Sequence, residues 1–162
     1  MRFKLNTSSV RELNDRLENE YEAHYFYRCA ANWCAEANYK KASAFFSKEA
    51  ESELEHAKGI QDYLVDFGVI PELRPISKTT YNFNDLSEII ELSYDMELKL
   101  MLDYNRSSKL LFDDDITTFD FLTTYRVEQR EAINEYNDLL DALDLIDKTD
   151  KFNLLYFEQT YM

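Results

Sequence analysis

The run Glu53-Leu54-Glu55-His56 lies in the middle of a long helix-forming stretch, and Glu53 and His56, three residues apart, share one face of that helix. The same face reads Phe46, Ala50, Glu53, His56/Ala57, Ile60, Leu64, Phe67, an otherwise apolar seam. A buried carboxylate costs several kcal/mol unless a cation or a hydrogen-bond network compensates it. Partners must therefore arrive from other segments. A first run carries the seam Val10, Leu13, Leu17, Glu20, His24, Tyr27, Ala31, Cys34, with Glu20 among apolar residues. A third carries Leu86, Ile90, Ser93, Glu97, Leu100, Tyr104, and a fourth Phe119, Leu122, Tyr125/Arg126, Gln129, Ile133, Tyr136, Leu140, Leu143. Each of the four runs thus sets one metal-capable position near the middle of an apolar face. The pattern predicts an all-α bundle around a buried dinuclear metal site. A buried polar network without metal is the alternative.

Composition agrees with helices. The 162 residues suit a single domain spanning the chain, and only two Gly and two Pro leave little material for sheets joined by tight turns. Thirty-two acidic against 18 basic residues give a formal charge of −14, which argues against nucleic acid or an anionic membrane surface as partner and favours cations. The opening Met1-Arg2-Phe3-Lys4-Leu5-Asn6 has no apolar leader core and no run is long enough to span a bilayer, so a cytoplasmic address is expected. Cys29 and Cys34, five apart on one helix, read as reduced, packed thiols rather than a disulfide.

Taken in order, Ser9 with Glu12 forms a capping-box signature, placing a first helix at about 10–36, and Asn38-Tyr39-Lys40-Lys41 makes the turn. A second helix, about 42–67, ends at Gly68 in a left-handed cap. Residues 69–83, with Pro71 and Pro75 and no periodicity, form the one long connection. Extended, it reaches roughly 50 Å, enough to run the ~40 Å length of a helix and start the next one parallel to the second. Asn84 is the expected cap of a third helix at about 85–111. Asp113-Asp114-Asp115 precede a fourth at about 116–146 and read as capping residues rather than a cation site. A short fifth helix, about 151–160, follows. Its Phe152, Leu155 and Tyr156 are expected to be covered by neighbouring copies, the alternative being that the tail packs back on its own bundle.

With these residues in place the chain resembles the bacterial non-haem ferritins. The similarity rests on Leu13-Asn14, Glu20, Tyr27, Trp33-Cys34, Glu53-x-x-His56, Asp62-Tyr63-Leu64 with Gly68 and Pro71, Glu97, Phe121-Leu122, Glu128-Gln129 and Leu155-Tyr156-Phe157. The resemblance implies a ferritin-like bundle with a di-iron ferroxidase centre that oxidises Fe(II) with O2, and a homo-oligomeric shell of twenty-four subunits storing ferric mineral. Carried over by position, Glu20, Glu53 and His56 hold the first iron, Glu53 bridges, Glu97 holds the second with Gln129 beside it, and Tyr27 stands near the first. Carboxylates with one imidazole suit that hard, oxygen-reactive metal.

The departures are specific. Of the acidic positions that build a third iron site in many relatives, two hold Ser52 and Ala132, leaving Glu128 and Glu131. Leu54 stands where bacterioferritins have a haem-ligating methionine, so no haem is expected, and helix four offers Gln129 with Ala132 instead of a second Glu-x-x-His. His24 matches no family ligand and reads as a core residue or a support to the site. Two competing functions are a rubrerythrin-type di-iron oxidase or peroxidase, although its Cys-rich module is missing, and a non-catalytic shell or mineral-nucleating protein.

Overall fold

Apolar faces on four long helices can be buried only against one another, and the hydrogen bonds between them fix how. The computed structural model describes residues 3–77 and 82–162. The expected connection at 78–81 and the first two residues lie outside these. The described residues contain α1 (Thr7–Glu36), α2 (Lys40–Asp66), α3 (Leu86–Leu111), α4 (Ile116–Leu143) and α5 (Lys151–Tyr161), and no strand.

Pairing directions give the topology. Gln61 bonds to Tyr21 and Ser43 to the Ala31 carbonyl, so α1 and α2 are antiparallel. Tyr104 bonds to Glu20 and Tyr27 to Glu97, so α1 and α3 are antiparallel as well. Helices α2 and α3 therefore run parallel, as the long connection predicts. That connection lies along α1: the Glu72 amide donates to Asn14 (2.8 Å), and the Arg74 guanidinium meets Asp15 (2.7 Å), Glu18 (2.8 Å) and Glu72 (3.0 Å). Beyond it Phe83 packs on Phe26 and Trp33, at the other end of α1.

Helix ends depart from the sequence reading where side chains find tertiary partners. Helix α1 begins at Thr7, capped by Asn6, which accepts from the Ser9 amide at 2.7 Å. The expected Ser9–Glu12 box does not form, because both residues are buried and engaged elsewhere: Ser9 Oγ donates to Asp115 (2.6 Å) and Glu12 accepts from Ser107 (2.7 Å). Asp85, not Asn84, caps α3 through the Glu88 amide (2.9 Å), while the Asn84 amide donates to the Glu88 side chain (2.6 Å). Asp115 caps α4 by accepting from the Thr118 amide, as expected of the Asp triplet. Helix α4 stops at Leu143 rather than 146, and Leu139, more than Leu140, completes its buried face because it shares a core cluster with Leu154 and Phe157 of α5. Two left-handed residues, Asn38 (φ 67°) and Gly68 (φ 74°), close α1 and α2 with the paired amide-to-carbonyl bonds of a Schellman cap. Cys29 and Cys34 form no disulfide, and burial pushes the Cys34 thiol up to about 12.

The core divides in two. One cluster, with Phe26, Ala30, Phe46, Ile90 and Leu143, fills the end nearest α5. The other, with Leu13, Leu17, Ile60, Leu64 and Leu122, fills the opposite end. The polar residues of the seams lie between them.

Helix α5 docks through Leu154 and Phe157 and leaves Phe152, Leu155 and Tyr156 exposed on the single chain. It also completes α2. Tyr39 makes no side-chain cap there, and the fully buried Glu158 supplies one from α5, its Oε2 accepting from the Ala42 amide at 2.9 Å. A carboxylate against a helix N-terminus is favoured by both the free amides and the dipole. Replacing Glu158 by Ala is expected to destabilise the chain by about 1–2 kcal/mol and to speed amide exchange at Ala42; urea melts and hydrogen exchange give both numbers, and an unchanged Ala42 would contradict the cap.

Candidate metal centre

Four helices converge between the two apolar clusters. Glu20 of α1, Glu53 of α2, Glu97 of α3 and Gln129 of α4 are each no more than 3% exposed, and His56 of α2 is partly open. His56 Nδ1 lies 2.9 Å from Glu53 Oε2 and 3.6 Å from Glu20 Oε2. One ligand atom from each of Glu20, Glu53 and His56 falls within 4.8 Å of the others. Beside this trio, Glu97 accepts from the Tyr27 hydroxyl at Oε1 and from Gln129 Nε2 at Oε2 (2.6 Å). Tyr27 is held in turn by stacking between Phe46 and Tyr136.

Two further tyrosines take part that the seam pattern treats as core. The Tyr104 hydroxyl, from α3, donates to Glu20 Oε1. Tyr104 stacks on Tyr125 (5.3 Å, 19°), whose own hydroxyl donates to the His56 carbonyl at 3.1 Å. That hydroxyl also lies over Gly59, where a Cβ would approach it to 2.5 Å, so a larger residue there would displace the Tyr125 hydroxyl from its place. A sequence signal for Tyr104 existed: it follows Glu97 by the same two turns that separate Tyr27 from Glu20.

Glu20 is the informative residue. Its Oε2 is buried with no hydrogen-bond partner, a condition native proteins avoid and that a bound cation would relieve. Burial pushes its carboxyl up, but the nearby His56 and Glu53 and the Tyr104 hydroxyl outweigh this and hold it below its usual range. Burial, then the charge on Glu20, lifts Glu53 well above the carboxylate range, and burial likewise raises Glu97. Burial alone would lower His56; the bonds to Glu20 and Glu53 instead raise it to about 11. Without metal, the raised proton affinity of Glu53 and His56 offsets the charge of the trio, and a cation would compete with those protons.

The other predicted residues fall around this centre. Glu128 approaches His56 from outside, its Oε2 2.9 Å from Nε2, an arrangement that turns Nδ1 toward the trio. Glu131 lines a cavity of about 270 Å³ together with Ser52, Ala132, Glu49 and Glu135. Glu49 and Glu135 were absent from the seam reading because each lies off it; burial, then the charges of Glu97 and Glu135, raise Glu49 to about 7. His24 stands apart from the trio, its Nδ1 on the Ala50 carbonyl, and ties α1 to α2.

The Ferritin-like domain, as a family, matches residues 10–146. The chain belongs to the ferritin family. Among its relatives, the bacterial non-heme ferritin of Escherichia coli is 26% identical over 146 residues, covering 90% of this chain and 88% of that protein. That of Staphylococcus aureus is 30% identical over 129 residues, 78% of this chain and 77% of its own length. The fold matches the open pore ferritin of Archaeoglobus fulgidus with a TM-score of 0.90 over 98% of both chains at 22% identity. It also matches the Chlorobium tepidum ferritin, at 0.85 over 96% and 94%.

Proton occupancy makes this ferritin-family centre sensitive to pH. His56 is raised from 6.5 to about 11, so its contribution to stability is complete below 6.5 and lost as pH rises through about 11. Glu49 is raised from 4.5 to about 7, so its contribution is complete below 4.5 and lost as pH rises through about 7. Both make the metal-free protein less stable as pH rises from about 6 to about 8, while affinity for a cation at the trio, freed from proton competition, would rise. Thermal melts with EDTA and with Co(II) should show a gap in Tm that widens over that range; a narrowing gap would contradict the proton assignment.

Proposed function

We propose that the chain is the subunit of an iron-storage ferritin that oxidises Fe(II) with O2 at a di-iron centre and retains the Fe(III) as mineral inside a shell of twenty-four copies. The orphaned, fully buried Oε2 of Glu20, facing Glu53 and His56, is the observation that carries this reading. Iron here is substrate and cargo. In this reading Glu20, Glu53 and His56 hold one Fe(II), Glu53 reaches toward the second, and Glu97 with Gln129 holds that one. Two Fe(II) each give one electron to O2, which takes up two protons and leaves as hydrogen peroxide, and the protein supplies geometry and exclusion of water. Tyr27 orients Glu97 through its hydroxyl. Glu128 and Glu131, with Glu49 and Glu135 on the same cavity, would conduct cations to or from the pair rather than complete a third site, since Ser52 and Ala132 bring no carboxylate.

The charge of −14 and the exposed apolar residues bear on assembly and location. No helix among the described residues is long and apolar enough to cross a membrane; the location proposed is the cytoplasm. Exposed Phe152 and Tyr156 on α5 are the surface proposed to be covered by neighbouring copies.

Glu53→Ala is expected to abolish rapid aerobic Fe(II) oxidation while leaving the fold intact or somewhat more stable, because it removes a buried carboxyl that is costly without metal. A folded variant oxidising iron at the wild-type rate would refute the assignment. Gel filtration of the same samples separates a storage shell from a small di-iron oxidase.

For assembly, truncating α5 would also remove the Glu158 cap, so Phe152→Ser with Tyr156→Ser is the cleaner change. The double variant is expected to yield smaller or less heat-stable particles that lose iron sooner. Unchanged particles with unchanged iron retention would exclude that face from the contact.

A further inference from the structure

We propose that Tyr104 is a positioning residue of the centre: by occupying Oε1 of Glu20, its hydroxyl makes Glu20 a one-oxygen ligand that presents Oε2 alone to the cation. The proposal rests on the reading that Glu20, Glu53 and His56 hold a cation, and it goes beyond that reading in assigning the binding mode of Glu20.

The geometry leaves Tyr104 little freedom. It is fully buried, its ring lies flat against Tyr125 at 5.3 Å, and Tyr125 is itself fixed by the hydrogen bond to the His56 carbonyl and by edge contact with the His56 ring at 5.6 Å. The same aromatic pair therefore braces two of the three trio residues, one through a hydroxyl on Glu20 and the other through the backbone and ring of His56. A carboxylate with both oxygens free can bind one cation through two oxygens or through one. With Oε1 accepting from Tyr104, rotation about the last side-chain bond would break that bond, so Oε2, the atom without a partner, is the oxygen that faces the ion without a competing hydrogen bond.

Tyr27 and Glu97 form the reciprocal pair, with tyrosine and carboxylate exchanged between α1 and α3. The two pairs are not equivalent. Glu97 keeps a second bond, from Gln129 Nε2, whereas Glu20 has no other donor but the His56 Nδ1 at 3.6 Å. Loss of Tyr104 thus releases Glu20, while loss of Tyr27 leaves Glu97 still held. The prepared, unsatisfied side is the Glu20 side, and the first cation should enter there.

The test uses the full chain and Co(II), whose visible spectrum reports coordination number and which binds without turnover. Tyr104→Phe keeps the ring stack and removes only the hydroxyl. It is expected to melt close to wild type, to bind the first Co(II) about 10- to 100-fold more weakly, and to change the intensity of the Co(II) bands as Glu20 becomes free to chelate. Tyr27→Phe is expected to weaken the second Co(II) instead. An unchanged first affinity and spectrum in Tyr104→Phe, or a loss shared equally by both cations, would overturn the proposal. A wild-type chain that binds no Co(II) would overturn the cation reading and this proposal with it. Should Tyr104→Phe not fold, a Co(II)-soaked wild-type crystal decides: Glu20 bound through Oε2 with Tyr104 still on Oε1 supports the assignment, and a chelating Glu20 or a displaced Tyr104 overturns it.

Discussion

Three carboxyl groups and an imidazole gathered in the middle of a bundle are an electrostatic burden, and the arrangement around them is organised to contain it. Each buried charge costs several kcal/mol, against a total stability of about 5–15 kcal/mol for a typical domain. The chain distributes the cost over the raised proton affinities of Glu53 and His56, hydroxyls from Tyr27 and Tyr104, and the amide of Gln129. The two apolar clusters do the complementary work. They lie on either side of the polar layer, so the helices are fastened at both ends and the layer need not supply cohesion.

Containment is uneven. Glu97 is satisfied at both oxygens by groups of the chain, and Glu20 is not. Such an imbalance can persist only if α1 and α3 are held in fixed register. The crossover serves this end, because it returns the chain to the far end of α1 and so lets α3 run antiparallel to it. Each ion pair of Arg74 is partly solvated and weak by itself, but three carboxylates around one guanidinium, with the Glu72 amide on Asn14, hold the connection to α1 over several residues.

The helical seams were legible because burial and a 3.6-residue period leave the same mark in any sequence. Glu20, Glu53, His56, Glu97 and Gln129 stood out as polar residues on apolar faces; the first three come within 4.8 Å of one another, and Glu97 and Gln129 bond to each other. Residues whose role depends on a partner's position were not legible. Ser9 and Glu12 carry a capping pattern, yet Asp115 and Ser107, roughly a hundred residues away, take both side chains. Tyr104 is apolar enough to read as core, and only the geometry reveals its hydroxyl against Glu20. Glu158 carries no mark in the sequence pattern, yet it is fully buried against α2. In each case the deciding contact joins distant parts of the chain, which periodicity does not encode.

The reciprocal spacing of carboxylate and tyrosine on α1 and α3 has a consequence for how such a chain can change in length. Each residue inserted into a helix rotates everything beyond it by about 100°. One added or lost between Glu20 and Tyr27, or between Glu97 and Tyr104, would turn one member of a pair away from its partner while the other stayed in place. The two intervals are therefore locked to each other. The turns, the crossover and the junction before α5 are where extra residues would rotate no member of these pairs away from its partner.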